Sequence, residues 1–172
     1  MMGSTFGSGA GRQDGDEEGE TAMDTLRLDQ EVHVSVMLAD FAQVAEGKLN
    51  VIGGGWSVTG PDPCPFALAG LFEVPWHMTN RQHEFRFELI DADGNAVTVE
   101  TPEGEREVSF DGSFEVGRPP GLRVGGTQRV PFALNGGALP LDPGMHYEWR
   151  LAVNGRTHED WRVAFTTREP ED

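Results

Sequence analysis

The chain has 172 residues, which fits one domain or one domain with a terminal extension. It carries 29 acidic and 13 basic residues, a formal net charge of −16 at pH 7, and this balance excludes a nucleic-acid binder because phosphate neutralisation needs clustered Lys and Arg. It also excludes binding to an anionic membrane surface, and no apolar run reaches the roughly 18 residues of a membrane span. The single cysteine, Cys64, excludes an internal disulfide. Without a secretory leader pattern, we expect a cytoplasmic protein.

Residues 1–29 predict a disordered, acidic and Gly-rich tail. Gly, Ser, Asp and Glu dominate this stretch, which has almost nothing to bury, and its GDEEGE run is interpreted as a solvated end. Residues 30–167 show short apolar alternations separated by turn signals, which predict a β-sandwich domain. Residues 168–172, which are net acidic, are expected to be a frayed C-terminal tail.

The first half of the domain predicts strands separated by glycine turns. Residues 32–38 alternate apolar and polar side chains, and the phase then changes near Ala39-Asp40, where a bulge is favoured over a single helical turn. Glu46-Gly47 supplies a turn into a second strand at 49–52. Residues 66–74 are apolar on both phases, which predicts a central strand covered on both faces.

The sequence IDADGN, residues 90–95, permits two interpretations. A calcium loop would need a third ligand before its Gly and a distal Glu, between two helices. A hairpin needs only the three-residue loop Ala92-Asp93-Gly94, with Gly94 in the left-handed conformation. We favour the hairpin, which pairs Asp91 with Asn95 and Leu89 with Val97 and places Phe87 beside Val99.

Acidic residues cluster around the loop predicted at 101–106. They are Glu100, Glu103, Glu105 and Glu107. A solvated loop is favoured over a cation site or a patch for a basic partner. Further strands are predicted at 108–116 and 130–134, joined by a Pro/Gly-rich connection that we expect to be mobile.

The segment from Leu141 to Phe165 indicates the fold class most strongly. Its L-x-P-G-x-x-Y-x-W-x-L pattern resembles the turn and penultimate strand of fibronectin type III and immunoglobulin-like sandwiches. That resemblance implies a tyrosine corner, in which the hydroxyl of Tyr147 bonds to the backbone a few residues upstream.

The turn Asn154-Gly155 predicts a hairpin between two alternating strands. A strict two-residue loop would mix apolar and polar side chains on each face, so a three-residue loop or a bulge near 157–159 is expected. This adjustment makes Trp149 and Trp161 cross-strand neighbours, with Gly155 supplying the positive φ of the turn.

Three stretches together resemble a family of short bacterial proteins that carry a domain of unknown function. They are LADFAQVAEGKLNVIGGGW, VPWHMTNRQHEFRFELIDADG and DPGMHYEWRLAVNG. Together they span most of residues 32–167. The resemblance implies a β-sandwich core and implies no activity or ligand.

No catalytic or metal-binding pattern stands out in the sequence. The five histidines lack ligand spacing, no Ser sits in a nucleophile elbow, and Cys64, between two prolines, is expected to be a buried inert thiol. Trp56 and Trp76 each follow a strand-ending signal, so both are candidates for a ligand platform, although packing is favoured.

We therefore expect an all-β, immunoglobulin-like antiparallel sandwich of about eight or nine strands, with no cofactor and no metal. The expected function is that of a noncatalytic module that binds a protein partner or forms a homo-oligomer. The alternative is small-ligand or glycan binding through Trp56 and Trp76. A hydrolase built on loop carboxylates ranks third.

Overall fold

A computed structural model describes residues 31–170 of the chain, and all of these except Glu31 belong to one compact unit. The tail predicted at 1–29 and the last two residues lie outside the described residues. The described part is all-β, with one 3-10 helix at Trp76–Met78. Its twelve strands are β1 His33–Ala39, β2 Phe41–Ala45, β3 Lys48–Ile52, β4 Val58–Thr59, β5 Phe66–Val74, β6 Gln82–Asp91, β7 Thr98–Thr101, β8 Gly104–Glu107, β9 Ser109–Glu115, β10 Gln128–Gly136, β11 His146–Val153 and β12 Arg156–Thr167.

Two larger sheets enclose the main core. One has the strand order β1-β5-β10, and the other has the order β4-β12-β11-β6-β9. All pairings are antiparallel except that of β4 with β12. Phe72 of the first sheet lies 4.3 Å from Phe114 of the second, measured between ring centroids, and Phe66 lies 5.5 Å from Trp149. The two sheets therefore share one core through their facing side chains.

Strand β5 is apolar on both faces because both faces are covered. Its inward residues, including Phe72, join the main core. Its outward Ala67 and Ala69 are buried with Ala42, because the β2–β3 hairpin folds over this side of the sheet. The expectation of a doubly covered central strand is confirmed.

Close contacts between a glycine and a cross-strand phenyl ring recur in the sheets. Gly70 pairs with Phe132, and Gly112 pairs with Phe85. A β-carbon on Gly112 would lie 2.6 Å from the Phe85 ring. A β-carbon on Gly70 would collide with the carbonyl oxygen of Ser35 and would lie 2.8 Å from the Phe132 ring. These rings fill the space that a side chain would otherwise occupy.

The strand count differs from the expected eight or nine for local reasons. The predicted first run is divided at Asp40, because β1 pairs with β5 whereas β2 pairs with β3. The loop predicted at 101–106 is wrong, since most of this stretch belongs to the β7–β8 hairpin. Val99 consequently lies opposite Arg106, and the partner of Phe87 is Phe110 in β9.

The β11–β12 hairpin combines the two features that its sequence suggested. Asn154 and Gly155 have φ values of 51° and 74° and form a two-residue turn, so Val153 pairs with Arg156. A bulge then follows, because residues 158–161 lie opposite the single residue Leu151. The predicted Trp149–Trp161 pair is wrong, because this larger bulge places Val163 opposite Trp149.

Candidate functional site

An open pocket lies where strand β5 begins, and we call it the Trp56 pocket. It contains about 430 Å³ of empty space, part of it open to solvent. Apolar side chains dominate its lining, among them Trp56, Phe66, Leu139, Leu141, Trp149 and Phe165. Known small-molecule sites share this concave and mostly apolar character, with a few polar groups that fix orientation.

Trp56 is held between strands β1 and β12. The amide of Gly55 donates to the carbonyl of Leu38 at 2.7 Å, and the amide of Thr166 donates to the carbonyl of Ser57 at 2.9 Å. The Trp56 ring packs edge-on against Phe165, with centroids 5.7 Å apart and planes at 90°. Its indole N–H is buried and has no acceptor among residues 31–170. Buried donors are nearly always paired, so an ordered water or a ligand atom is the expected acceptor for this one.

The rim of the Trp56 pocket is the proline-rich segment 61–65, which is irregular as expected. The Cys64 thiol is exposed there, with its sulfur 3.3 Å from the Thr59 hydroxyl. The expectation of a buried thiol is wrong, because alternate prolines keep this segment out of any sheet and on the surface.

Another part of the lining of the Trp56 pocket, Leu139 and Leu141, belongs to the loop before β11. The amide of Asp142 donates to the Tyr147 hydroxyl at 3.1 Å, which is the contact expected of a tyrosine corner. The hydroxyl of Thr167 donates to the carbonyl of Asp142 at 2.6 Å and fixes the loop to the end of β12. Burial raises the pKa of Tyr147, against the lowering effect of the Asp142 N–H.

Trp76 lies in a different environment, which we call the Arg118 clamp. The guanidinium carbon of Arg118 lies 4.5 Å from the centroid of the Trp76 ring. Arg118 also donates to the Thr79 hydroxyl at 2.6 Å and to the Trp76 carbonyl at 2.7 Å. One face of Trp76 is therefore covered by a cation from the 117–126 connection.

A buried histidine connects the same end of the molecule to the β11–β12 turn. His83 is fully buried, with Nε2 2.8 Å from the Met78 carbonyl and Nδ1 3.0 Å from Nδ2 of Asn154. A carbonyl only accepts and an amide nitrogen only donates, so this geometry corresponds to the neutral tautomer with the proton on Nε2. His83 is thus occupied by structural hydrogen bonds.

The two candidate tryptophans do not meet. Trp56 lines the pocket at the start of β5 with Phe66, whereas Trp76 follows the end of this nine-residue strand. At about 3.3 Å per residue the strand spans roughly 30 Å, so no small molecule contacts both rings. Either tryptophan would have to act without the other.

The loop at 91–95 is the hairpin predicted for it. Val97 donates to the carbonyl of Leu89 at 2.9 Å, and Gly94 has a φ of 84°. The Asp91 carboxylate accepts backbone N–H bonds from Asn95 at 2.8 Å and from Asp93 at 2.9 Å. These bonds, that of Asn95 most of all, lower the pKa of Asp91. Its oxygens therefore stabilise the turn.

The glutamates of the β7–β8 hairpin are exposed. Glu105 accepts from the Thr98 hydroxyl, and Glu107 lies 2.9 Å from the Arg86 guanidinium. Arg86 also contacts Asp111 at 3.0 Å, and these acidic partners raise its pKa. No group of three or more His, Cys, Asp or Glu side chains suited to a metal occurs within the described part of the chain.

An exposed apolar pair lies on the outer face of the β2–β3 hairpin, and we call Phe41 and Ile52 the hairpin patch. The two residues are directly opposed in register. Phe41 is 45% exposed and Ile52 is 63% exposed. The inward face of the same hairpin carries Ala42 and Val51, which pack on the sheet beneath. The sequence did not indicate this surface, because alternation alone does not say which face of a hairpin is covered.

The described part of the chain is therefore an all-β protein domain with two core-sharing sheets, two added hairpins and an open apolar pocket at Trp56. Residues 34–165 match the model of DUF6941, a family of unknown function, so the chain belongs to that family. No curated protein matches the chain. No helix within residues 31–170 has the length and apolarity to cross a membrane.

Proposed function

We propose that the chain is a noncatalytic, immunoglobulin-like sandwich module that associates with a protein partner or with a second copy of itself. The strand order supports the fold assignment. If β1, β5, β6, β10, β11 and β12 are taken as strands A, B, C, E, F and G, one sheet has the order A-B-E and the other contains G-F-C. Immunoglobulin domains divide their strands in the same way, and Tyr147 occupies the place of their tyrosine corner.

The hairpin patch is the observation that carries the association. Two large apolar side chains point outward from a hairpin that is already packed on its other face. Aromatic and aliphatic side chains of this kind form the centres of protein interfaces, where their removal from water stabilises the complex. The neighbouring strand β10 carries Pro131, which disfavours pairing along its edge, so side-chain contacts are the expected mode.

The noncatalytic part of the proposal is supported by the use that the fold makes of its ionisable groups. Both ring nitrogens of His83 make hydrogen bonds within the fold, and Glu107 and Asp111 are paired with Arg86. We also propose a cytoplasmic location, which the exposed free thiol of Cys64 supports because such a thiol persists in a reducing compartment.

The test compares the full chain with a Phe41→Ser/Ile52→Ser variant by sedimentation equilibrium and by crosslinking with co-purified partners. We expect self-association or partner recovery to fall by about tenfold or more when both apolar side chains are removed. Val124→Ser is the matched control, because Val124 is 79% exposed in a separate connection. A monomeric wild type without a crosslinked partner would contradict the proposal, as would equal association of the double variant.

A second candidate function, the binding of a small ligand, is favoured by the Trp56 pocket. The support comes from its concave apolar lining and from the buried indole N–H that has no acceptor in the described structure. Trp76 does not take part, because it lies beyond the other end of β5.

A further inference from the structure

We infer that the Trp56 pocket binds a small neutral aromatic molecule that carries one hydrogen-bond acceptor, such as an amide or ketone carbonyl. This inference rests on the second candidate function and specifies the class of ligand. Three properties of the pocket determine it: the chemistry of the lining, the unpaired donor and the charges at the rim.

The lining selects for a ring. Trp56, Phe66, Trp149 and Phe165 present aromatic surface, and Leu139 and Leu141 complete the wall. Aromatic surfaces pack against flat rings in offset and edge-on arrangements, which contribute beyond the burial of area. Because the pocket is open to solvent, a ring would pack against this aromatic surface and the remainder of the molecule would lie in the mouth.

The buried indole N–H of Trp56 favours a ligand that carries a hydrogen-bond acceptor. The Trp56 N–H is buried without a partner in the described structure, although its ring is fixed against Phe165. A ligand oxygen that reached this N–H, which has almost no exposed surface, would satisfy a group that otherwise destabilises the fold. A purely apolar ligand would leave the N–H unpaired, and an ammonium ion offers no lone pair to it.

The rim selects against negative charge. Among the described residues that line the pocket, Asp62 is acidic and none is basic. The formal net charge of the chain, −16, adds to the repulsion. A carboxylate ligand would therefore lose its hydration without gaining a cation.

The experiment uses four probes. Benzamide represents the proposed ligand class, benzoate matches it in size but carries a negative charge, choline is a cation, and glucose is a polar sugar without an aromatic ring. Calorimetry on the full chain measures affinity, and the rate at which iodoacetamide alkylates Cys64 locates the bound probe. Cys64 is the only cysteine and lies at the rim, so alkylation reports on this pocket alone. We expect benzamide to bind saturably and to slow alkylation, with benzoate roughly tenfold weaker because of its charge.

Two variants separate the donor from the cavity. Trp56→Phe keeps an aromatic ring but removes the N–H, and we expect benzamide to bind about fivefold to tenfold more weakly. Trp76→Phe is the matched control, and benzamide binding should not change. Leu139→Phe, which fills the pocket from its loop wall, should abolish binding even if Trp56→Phe does not fold.

Each result of the probe series has a defined consequence. If no probe binds, both the ligand class and the small-ligand function are overturned. If benzoate, choline or glucose binds and protects Cys64 at least as well as benzamide, the ligand class is overturned and the small-ligand function stands. If benzamide binds without protecting Cys64 and without sensitivity to Trp56→Phe, the location is overturned.

Discussion

The two ends of strand β5 contain the same residue type in opposite states. At the end of β5, the Trp76 ring is covered by Arg118, and Thr79 and the Trp76 carbonyl are both bonded to that guanidinium. At the start of β5, Trp56 borders an open pocket and its N–H has no acceptor in the described structure. The Trp76 end is covered by a side chain from a connection that is distant in sequence. The Trp56 end has no such covering side chain in the described structure.

A tryptophan near a strand end therefore does not by itself define a ligand platform. The deciding factor is whether another segment of the chain supplies the missing contacts. Arg118 is 42 residues from Trp76, and its stacking leaves less ring surface for a ligand. The three predictions below test the two ends together and then each end separately.

The largest effect is expected for Gly70→Ala, which should weaken both ends at once. Gly70 lies within β5, and a methyl group there would collide with the Ser35 carbonyl and press on Phe132, so β1 and β5 cannot keep their spacing. We expect a loss of about 3 kcal/mol or more in the free energy of unfolding, measured by urea denaturation.

Gly137→Ala provides the control for this prediction. A β-carbon on Gly137 meets no atom within 4 Å, so its effect should stay within about 0.5 kcal/mol. Equal stability of the two variants would show that the β1–β5 spacing is not as tight as the structure indicates.

An intermediate effect is expected for Arg118→Ala, which should open only the clamp end. The variant loses the cation–π contact and two hydrogen bonds, for a cost of about 1–2 kcal/mol. Amide hydrogen exchange should accelerate at Thr79 and Asn80 and stay unchanged at Thr166 and Arg168, near the pocket.

Arg118→Lys sharpens this result, because it keeps the charge and removes the planar fork that bonds two acceptors. We expect the amide exchange rate at Thr79 in Arg118→Lys to lie closer to the rate in Arg118→Ala than to the rate in the wild type. Faster exchange at both ends in either variant would mean that the two ends unfold as one unit.

The smallest effect is expected for Tyr147→Phe, at the pocket end. The Asp142 amide loses its acceptor, but Asp142 is exposed and water replaces the hydroxyl, so the cost at neutral pH should be about 0.5–1.5 kcal/mol. Thermal or urea denaturation measures this cost.

The pH dependence of that variant has a defined sign. The pKa of Tyr147 is raised by burial above its usual value of 10.0, so the folded state retains the phenolic proton longer than the unfolded state. This contribution to stability is complete below about pH 10 and is lost as the pH rises through the folded pKa. Tyr147 is the only tyrosine, so its phenolate absorbance reports the titration directly. A Tyr147 pKa at or below the ordinary value would contradict this prediction. So would an alkaline stability profile that is the same in the wild type and in Tyr147→Phe.

Much of the local structure was predictable because it depends on neighbours in sequence. The alternation around Tyr147, the turn at Asn154-Gly155 and the hairpin at 91–95 all follow from side-chain period and turn chemistry. The apolar character of residues 66–74 correctly indicated a strand with two covered faces.

The candidate site was only partly predictable, because it depends on contacts between residues that are distant in sequence. Trp56 was singled out, but it was joined to Trp76 although the strand predicted at 66–74 already separates the two. The Trp149–Trp161 pair failed because the length of a bulge depends on how β12 packs, and the exposed thiol of Cys64 depends on where its segment lies.

The amino-acid sequence establishes that the chain is β-rich and where several of its turns fall, since these follow from side-chain period and turn residues. Contacts in the folded chain decide which hairpin covers β5, beside which tryptophan Arg118 lies and which indole N–H is left unpaired in the described structure. These features depend on contacts between segments far apart in the chain, and no sequence period encodes such contacts.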